Sequence, residues 1–510
     1  MQPPLKLFTM QLCTLLTLVV SLVAAAQLPL VQAQRIGDVD GDRALHAGLP
    51  PHIFQQMGQY SPRYLVGHDS QMAPPGCKVD VVSTLERHGA RHFTDGALKR
   101  AKATVTKLQA SLKTAQRVPP EMAFILDAQL QKETSSLVPY GALQAWYSGK
   151  TAAATYPELA RSTPFVRGSG DVASGNDRVI LTARYWRLGF EGHPFPTGNI
   201  STSDQVRNAP NLPQTDLDIS ELPGKNNTLD VSTCTAENNL PASQGEDGAQ
   251  ARYGNSTVLP TIGARLQEVL QRAGAGAVNL TYTDVLNIGN LCSFETLGRA
   301  SVVDGQLRLD GGRISPWCGI FRDNEWSIYG YANDAGKYYG AGYGNPFFKA
   351  LGEGWIRELF ARFESRLPAP GASLNSTLDG SSATFPVPDH TRVFFDGTHD
   401  NNIGPIAAAF GLFDGPKLST DFHAERAPHR WVFSQIGPLQ GKITFEKLSC
   451  AGSRSPYLRV RANGAVQSPR GASWCPRPDA RAAQGLCAVD VVHKALAFVN
   501  SNEEWAKCDA

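Results

Sequence analysis

Residues 78–92 read KVDVVSTLERHGARH. The first half, KVDVVSTL (78–85), is a short apolar run, the pattern of a buried strand. The second half, LERHGARH (85–92), crowds Arg87, His88 and Arg91 around Gly89. Crowded cations repel, so holding them together makes sense where an anion binds. Two guanidiniums four residues apart, each a planar fork of donors, converge on one dianion. The same two charges disfavour protonation of His88, and an imidazole kept neutral in mild acid has a free nitrogen that can attack phosphorus. A solvated cationic helix face is the bland alternative, and the apolar strand directly before the motif argues against it.

The strand-then-polar-turn pattern recurs. In TRVFFDGTHDNNIGPIAAAFGLF (391–413) a strand at Val393 to Phe395 runs into His399-Asp400 and then into an apolar helix. FVRGSGDVASGNDRVILTARYWRLGF (165–190) reads as strand, loop and helix. Residues 97–116 have helical spacing with Val105, Leu108 and Leu112 near one face, 137–160 read as helix, and 441–467 alternate like strands. Strands alternating with helices predict an α/β fold, a central mixed sheet flanked by helices, with a smaller helical cap mainly within 96–160. In such sheets sites lie at the carboxyl ends of strands, which is where both polar turns fall. Phosphomonoester hydrolysis needs a proton for the departing alkoxide. Asp400 can supply it, His399 can donate a hydrogen bond to a phosphoryl oxygen, and the helix that follows presents its N-terminus to an anion.

The rest of the 510-residue chain bounds the setting. Its formal net charge is +2, which implies neither a polyanion nor a membrane-surface partner. Residues 1–33 read as a secretory signal, with Lys6, an apolar run from Met10 to Ala26, and cleavage after Ala26 or after Ala33. No later stretch is long and apolar enough to span a bilayer. Residues 34–76 are rich in Gly and Pro and read as an extended arm; the acidic D-V-D-G-D at 38–42 places its glycine too early for an EF-hand. Residues 77–510 form the catalytic region, with a loop-rich insertion around 198–260. Cys13 leaves with the signal. The remaining eight cysteines are an even number, which in a secreted chain predicts four disulfides. Sequons at Asn199, Asn226, Asn255, Asn279 and Asn375 predict N-glycans and fit secretion.

RHGAR, FVRGSG and THDN, in that order, resemble the motifs of the histidine acid phosphatase family, and most closely its secreted fungal phytases. Gly58-Gln59-Tyr60-Ser61-Pro62 resembles their GQYSP stretch. The segment from Lys337-Tyr338-Tyr339-Gly340 to Gly344-Asn345-Pro346 resembles their KYYGYGAGNP. The resemblance runs from about residue 55 to the C-terminus. It implies a phosphoglycerate mutase-like fold and roles residue by residue. His88 would be the nucleophile and Asp400 the proton donor. Arg87, Arg91, Arg167 and His399 would clamp the phosphoryl oxygens, and Gln59, Tyr60, Thr94 and Lys337 would contact substrate. It implies no metal or other cofactor, a monomer, and disulfides Cys77–Cys450, Cys234–Cys508, Cys292–Cys318 and Cys475–Cys487. The expected substrate is a small phosphomonoester such as phytate. No nucleic acid partner is expected, because basic and aromatic residues do not interleave.

The chain departs from the phytase pattern beside the motif. Its RHGARHFT puts His92 and Phe93 where phytases have RHGARYPT, Glu86 replaces a common serine, and Lys99 and Arg100 are out of register with the lysine that phytases carry near Ala97. These changes leave phosphatase chemistry intact and open a second reading, a broad acid phosphatase. A secreted, non-catalytic phosphate-binding glycoprotein is a third, against which the joint presence of His88 and Asp400 counts. GKYYGAGYG (336–344) lacks the GK[ST] of a phosphate-cradling loop, and neither HExxH nor GxSxG occurs.

Overall fold

The computed structural model describes residues 46–66, 72–171, 176–222, 225, 227–387 and 391–509. The expected signal and Asn226 lie outside these residues.

The motif strand β1 (Cys77–Arg87) is the middle of an eight-stranded sheet. The other strands are β2 (Phe165–Ser169), β3 (Leu217–Ile219), β4 (Val393–Thr398), β5 (Lys442–Cys450), β6 (Tyr457–Ala462), β7 (Ala465–Val466) and β8 (Leu486–Ala488). Their order is β7-β6-β5-β1-β4-β2-β3, with β8 also on β6. The pairs β1–β4, β4–β2 and β2–β3 are parallel; β1–β5, β5–β6, β6–β7 and β6–β8 are antiparallel. The sheet is therefore mixed, as expected. Its parallel half sends β1 and β4 out at one edge, Arg87 opposite Thr398, so that the two polar turns emerge side by side.

The main helices are α1 (Asp95–Leu112), α2 (Pro139–Thr155), α3 (Arg178–Phe190), α4 (Glu246–Tyr253), α5 (Ala264–Arg272), α6 (Tyr282–Gly298), α7 (Glu325–Ala341), α8 (Phe348–Phe363) and α9 (Asp400–Phe410). Strand β4 is buried along its whole length, and because side chains alternate across a strand, its two phenylalanines serve opposite layers. Phe395 packs on Trp186 of α3, with ring centroids 4.5 Å apart. Phe394 meets the guanidinium of Arg362 on α8, 4.8 Å from the ring centre. Thus α2 and α3 cover one face, and α8 and α9 the other, where Trp355 and Phe410 flank Phe445 at 5.3 and 4.9 Å.

Residues 95–112 are helical with Val105, Leu108 and Leu112 buried, as their spacing predicts. This helix lies against α6, and α6 in turn packs on the segment 254–263 that leads into α5. Two distant stretches of sequence therefore build the helical layer. The stretch read as an arm carries a short helix at Pro51–Phe54 and buries Leu49, Ile53, Phe54 and Met57 in the main core. Four apolar residues over nine positions suffice to anchor it despite the surrounding Gly and Pro. The stretch around 198–260 supplies β3, whose three residues are too few to show alternation in the sequence.

All four disulfides pair as the resemblance implied: Cys77–Cys450, Cys234–Cys508, Cys292–Cys318 and Cys475–Cys487. Cys77 and Cys450 face each other across β1 and β5. Among the described residues no helix is long and apolar enough to cross a membrane.

Candidate active site

The turn after β1 is held from both sides. The His88 backbone N–H donates to Thr398 O at 3.0 Å, and its carbonyl accepts from Gln440 N at 3.0 Å. Gly89 N donates to Thr182 Oγ1 at 3.0 Å, and Ala90 N to Gln144 Oε1 at 2.9 Å. Gly89 permits a close approach, but the backbone that approaches is that of α2. A Cβ on Gly89 would collide with the carbonyl of Gly141, and one on Gly141 with that of Ala90.

His88 is 1% exposed. Its Nδ1 lies 2.8 Å from the Gly89 carbonyl, a group that only accepts. That contact assigns the proton to Nδ1 and leaves the lone pair on Nε2. Burial first, then Arg87, Arg178 and Arg91, hold the His88 imidazole well below its ordinary pKa. Burial and the surrounding cations both disfavour protonation of His88.

Arg87 is fully buried. One terminal nitrogen donates to the carbonyls of Gln59 and Gly437, the second at 2.9 Å, and the other sits 3.0 Å from Asp400 Oδ1. Arg91 donates to the His92 carbonyl at 2.8 Å and lies over the Phe294 ring. Asp400 opens α9, with its second oxygen 3.0 Å from Lys337 Nζ. Burial would raise the Asp400 carboxyl, but Arg87 and then Lys337 hold it well below the usual range. Lys337 also donates to Glu246 at 2.9 Å and to Asn401 at 2.6 Å. His399 occupies the N-cap position of α9 without a side-chain capping bond, its ring centroid 5.4 Å from that of His88.

The structure thus brings together His88, Arg87, Arg91, His399, Asp400, Lys337 and the Gln59 carbonyl. Tyr60 is beside them, its ring 5.1 Å from Phe294, whereas Thr94 is the N-cap residue of α1.

Arg167 is the exception and corrects the sequence reading. It pairs in register with Asp396, two residues below the edge where Arg87 meets Thr398. Its Nε donates to Asp396 Oδ1 at 2.6 Å and one terminal nitrogen to Glu358, in a buried cluster completed by Arg362 and Trp355. Burial opposes the Arg167 charge, but Asp396 and Glu358 outweigh it and raise its pKa. A guanidinium so engaged is structural.

Arg178, which the sequence reading passed over, takes the third place at the site. It is the first residue of α3, a terminal nitrogen 3.4 Å from His399 Nδ1, and burial, then Arg91, push it down to about 10. Its Nε, like those of Arg87 and Arg91, is buried without a hydrogen-bond partner. A cation at a helix N-terminus opposes the helix dipole, and that misplacement was the available signal. The contrast is testable. Arg167→Ala is expected to cost about 3 kcal/mol or more of stability by leaving buried carboxylates short of a partner, read as a lowered denaturant midpoint. Arg178→Ala should leave that midpoint near wild type and cut catalytic efficiency about 100-fold.

Glu86 accepts from Ser148 Oγ at 2.8 Å and from Gln440 Nε2. His92 lies 3.4 Å from Glu133, and Phe93 stacks on Phe294 with centroids 3.8 Å apart. Glu221, Asp230 and His399 place one donor atom each within 4.8 Å of one another, the one such group among the described residues. His399 Nε2 is 2.7 Å from Glu221 Oε1, which commits that nitrogen to a hydrogen bond.

Residues 78–463 match the family model of the histidine phosphatase superfamily (branch 2). The chain is 31% identical to Phytase A of Aspergillus awamori over 459 residues, covering 89% of this chain and 90% of the relative. It is also 31% identical to Phytase A of Aspergillus fumigatus, over 464 residues, 90% of this chain and 91% of that one. Among solved structures, the phytase from D. castellii aligns with a TM-score of 0.62 at 22% identity, covering 90% of this chain and 87% of the other.

Proposed function

Because the chain belongs to the histidine phosphatase superfamily (branch 2), as a histidine acid phosphatase close to the fungal phytases, we propose that it hydrolyses phosphomonoesters, phytate among them, through a phosphohistidine. One observation carries the mechanism: the neutral, tethered His88, three arginines and Asp400 meet at the carboxyl edge of β1 and β4. In the first step His88 Nε2 attacks phosphorus. The ester P–O bond breaks, and the leaving alkoxide takes a proton from Asp400. Arg87, Arg91, Arg178 and a doubly protonated His399, which donates from Nδ1 while its Nε2–H donates to Glu221, hold the equatorial oxygens, where charge develops. In the second step water loses a proton to Asp400 and attacks phosphorus, the P–N bond breaks, and phosphate leaves. Asp400 is ionised without substrate. A dianionic phosphoryl group beside it opposes that charge and raises its pKa, so the proton arrives with the substrate monoanion, which is the abundant form in acid.

Phytate is the substrate favoured by the similarity to the Aspergillus relatives. Secretion as a glycosylated monomer is part of the same reading. It is supported by the disulfides and by exposed sequon asparagines at 199, 255 and 279. A broad acid phosphatase is the second reading. It is favoured by His92 and Phe93, which are spent on Glu133 and Phe294, and by Lys99 and Arg100, which are exposed on α1. Turnover of phytate and of an aryl phosphate at acidic pH separates the two. A phytate rate at or above the aryl rate is expected, and one far below it overturns the phytase reading.

A further inference from the structure

Glu221 follows β3 by two residues, and its side chain is 8% exposed. Its Oε1 accepts from Ser169 Oγ at 2.6 Å and lies 2.7 Å from His399 Nε2, and its Oε2 accepts from Asn176 Nδ2. Asn176 accepts in turn from one Arg178 terminal nitrogen, and the other lies 3.4 Å from His399 Nδ1. Glu221, Asn176, Arg178 and His399 therefore close a ring of side chains. Three donors point at Glu221, and a carboxylate is the side chain that accepts from all three without offering a proton of its own. Burial opposes its charge, yet the hydrogen bond from His399 leads the contacts that hold the Glu221 carboxyl below its usual range. Burial keeps Asp230, the third member of the cluster, above its own usual range, which leaves Glu221 the more readily ionised of the two.

We propose that Glu221 is a positioning residue for phosphoryl transfer: by accepting the Nε2–H hydrogen bond of a doubly protonated His399 it fixes the orientation of the ring, so that Nδ1–H and the Arg178 guanidinium share one target, a phosphoryl oxygen. The inference rests on the phosphatase reading above. Nε2 cannot serve the phosphate, because it is engaged with Glu221, so Nδ1 is the nitrogen that faces Arg178 and the site. Without Glu221 the ring is free to turn about its side-chain bonds, and the donor leaves its place. A packed side chain that sets the rotamer of a catalytic one commonly accounts for about 10- to 100-fold in activity.

The test is a double-mutant cycle with kcat/KM on an aryl phosphate as its readout. Glu221→Gln is expected to lower kcat/KM by about 10- to 100-fold in the native background, and by no more than about twofold when His399 is already alanine, because the residue acts through His399. Equal losses in both backgrounds mean a general structural role and overturn the proposal, as does no loss in either. If Glu221→Gln does not fold, Glu221→Asp carries the same comparison with the carboxylate kept. Nitrogen-15 spectra of histidine-labelled protein with inorganic phosphate give a readout independent of turnover. The Nε2–H of His399 should exchange slowly with solvent in the wild type and quickly in Glu221→Gln, and identical spectra overturn the proposal. If the wild type hydrolyses no phosphomonoester, the phosphatase reading fails, while the spectra still report on Glu221.

Discussion

His88→Ala is expected to lower kcat/KM by about 10⁴-fold or more on every phosphomonoester, with stability close to wild type. The loss is large because no neighbour can replace the nucleophile. His399, whose ring centroid is 5.4 Å away, has its Nε2 on Glu221 and its Nδ1 toward Arg178. Lys337 is held by Asp400, Glu246 and Asn401. The fold survives because the hydrogen bonds that shape the turn are made by the backbone of residue 88, to Thr398 and from Gln440, and alanine keeps both. Removing the imidazole also leaves Arg87, Arg91 and Arg178 around the space it filled, so inorganic phosphate should still bind. Rapid mixing with substrate and alkaline quench should trap phosphohistidine in the wild type and none in the variant. Wild-type turnover by folded His88→Ala would sink the nucleophile assignment.

Much of this site is visible in the sequence because its chemistry is local. Each polar turn directly follows an apolar strand, so RHGAR and THD place His88, Arg87, Arg91, His399 and Asp400 at one sheet edge once the strands are parallel. What escapes the sequence depends on register and on distant contacts. Arg167 and Arg178 stand eleven residues apart in one polar stretch, and the only local difference is that Arg178 falls at a helix start. Register separates them, by putting Arg167 beside Asp396 below the edge, whereas Arg178 lies 3.4 Å from His399. Glu221 sits in a run of Asn, Ser and Pro that reads as loop, and its meaning comes from β3, which is three residues long. The helical layer is hidden for a similar reason. The helix at 95–112 shows its own apolar face, but the partner of that face, α6, lies beyond residue 280. Glu86 and the pair His92-Phe93 stood out as departures from a motif. Packing explains them: Glu86 satisfies Ser148 and Gln440, Phe93 stacks on Phe294, and His92 meets Glu133.

Asp400→Asn is expected to cut kcat about 10²- to 10⁴-fold on alkyl phosphates, whose alkoxides leave poorly without a proton, and far less on aryl phosphates. The asymmetry follows from the step Asp400 serves. An aryl oxide is a stable leaving group, so the first step hardly needs an acid, and only the activation of water in the second is impaired. Phosphohistidine should then accumulate on an aryl substrate, where breakdown becomes limiting, and should not accumulate on an alkyl one, where formation is limiting. Charge alone cannot produce this split. Asparagine removes the anion between Arg87 and Lys337, 3.0 Å from each, and the freed cations should bind a phosphate dianion more tightly, which lowers KM for both substrate classes alike. The two effects therefore separate: KM falls for every substrate, whereas kcat falls further on alkyl phosphates than on aryl ones. Equal losses of kcat on alkyl and aryl phosphates would contradict a proton-donating Asp400 and reduce it to an electrostatic spacer between Arg87 and Lys337.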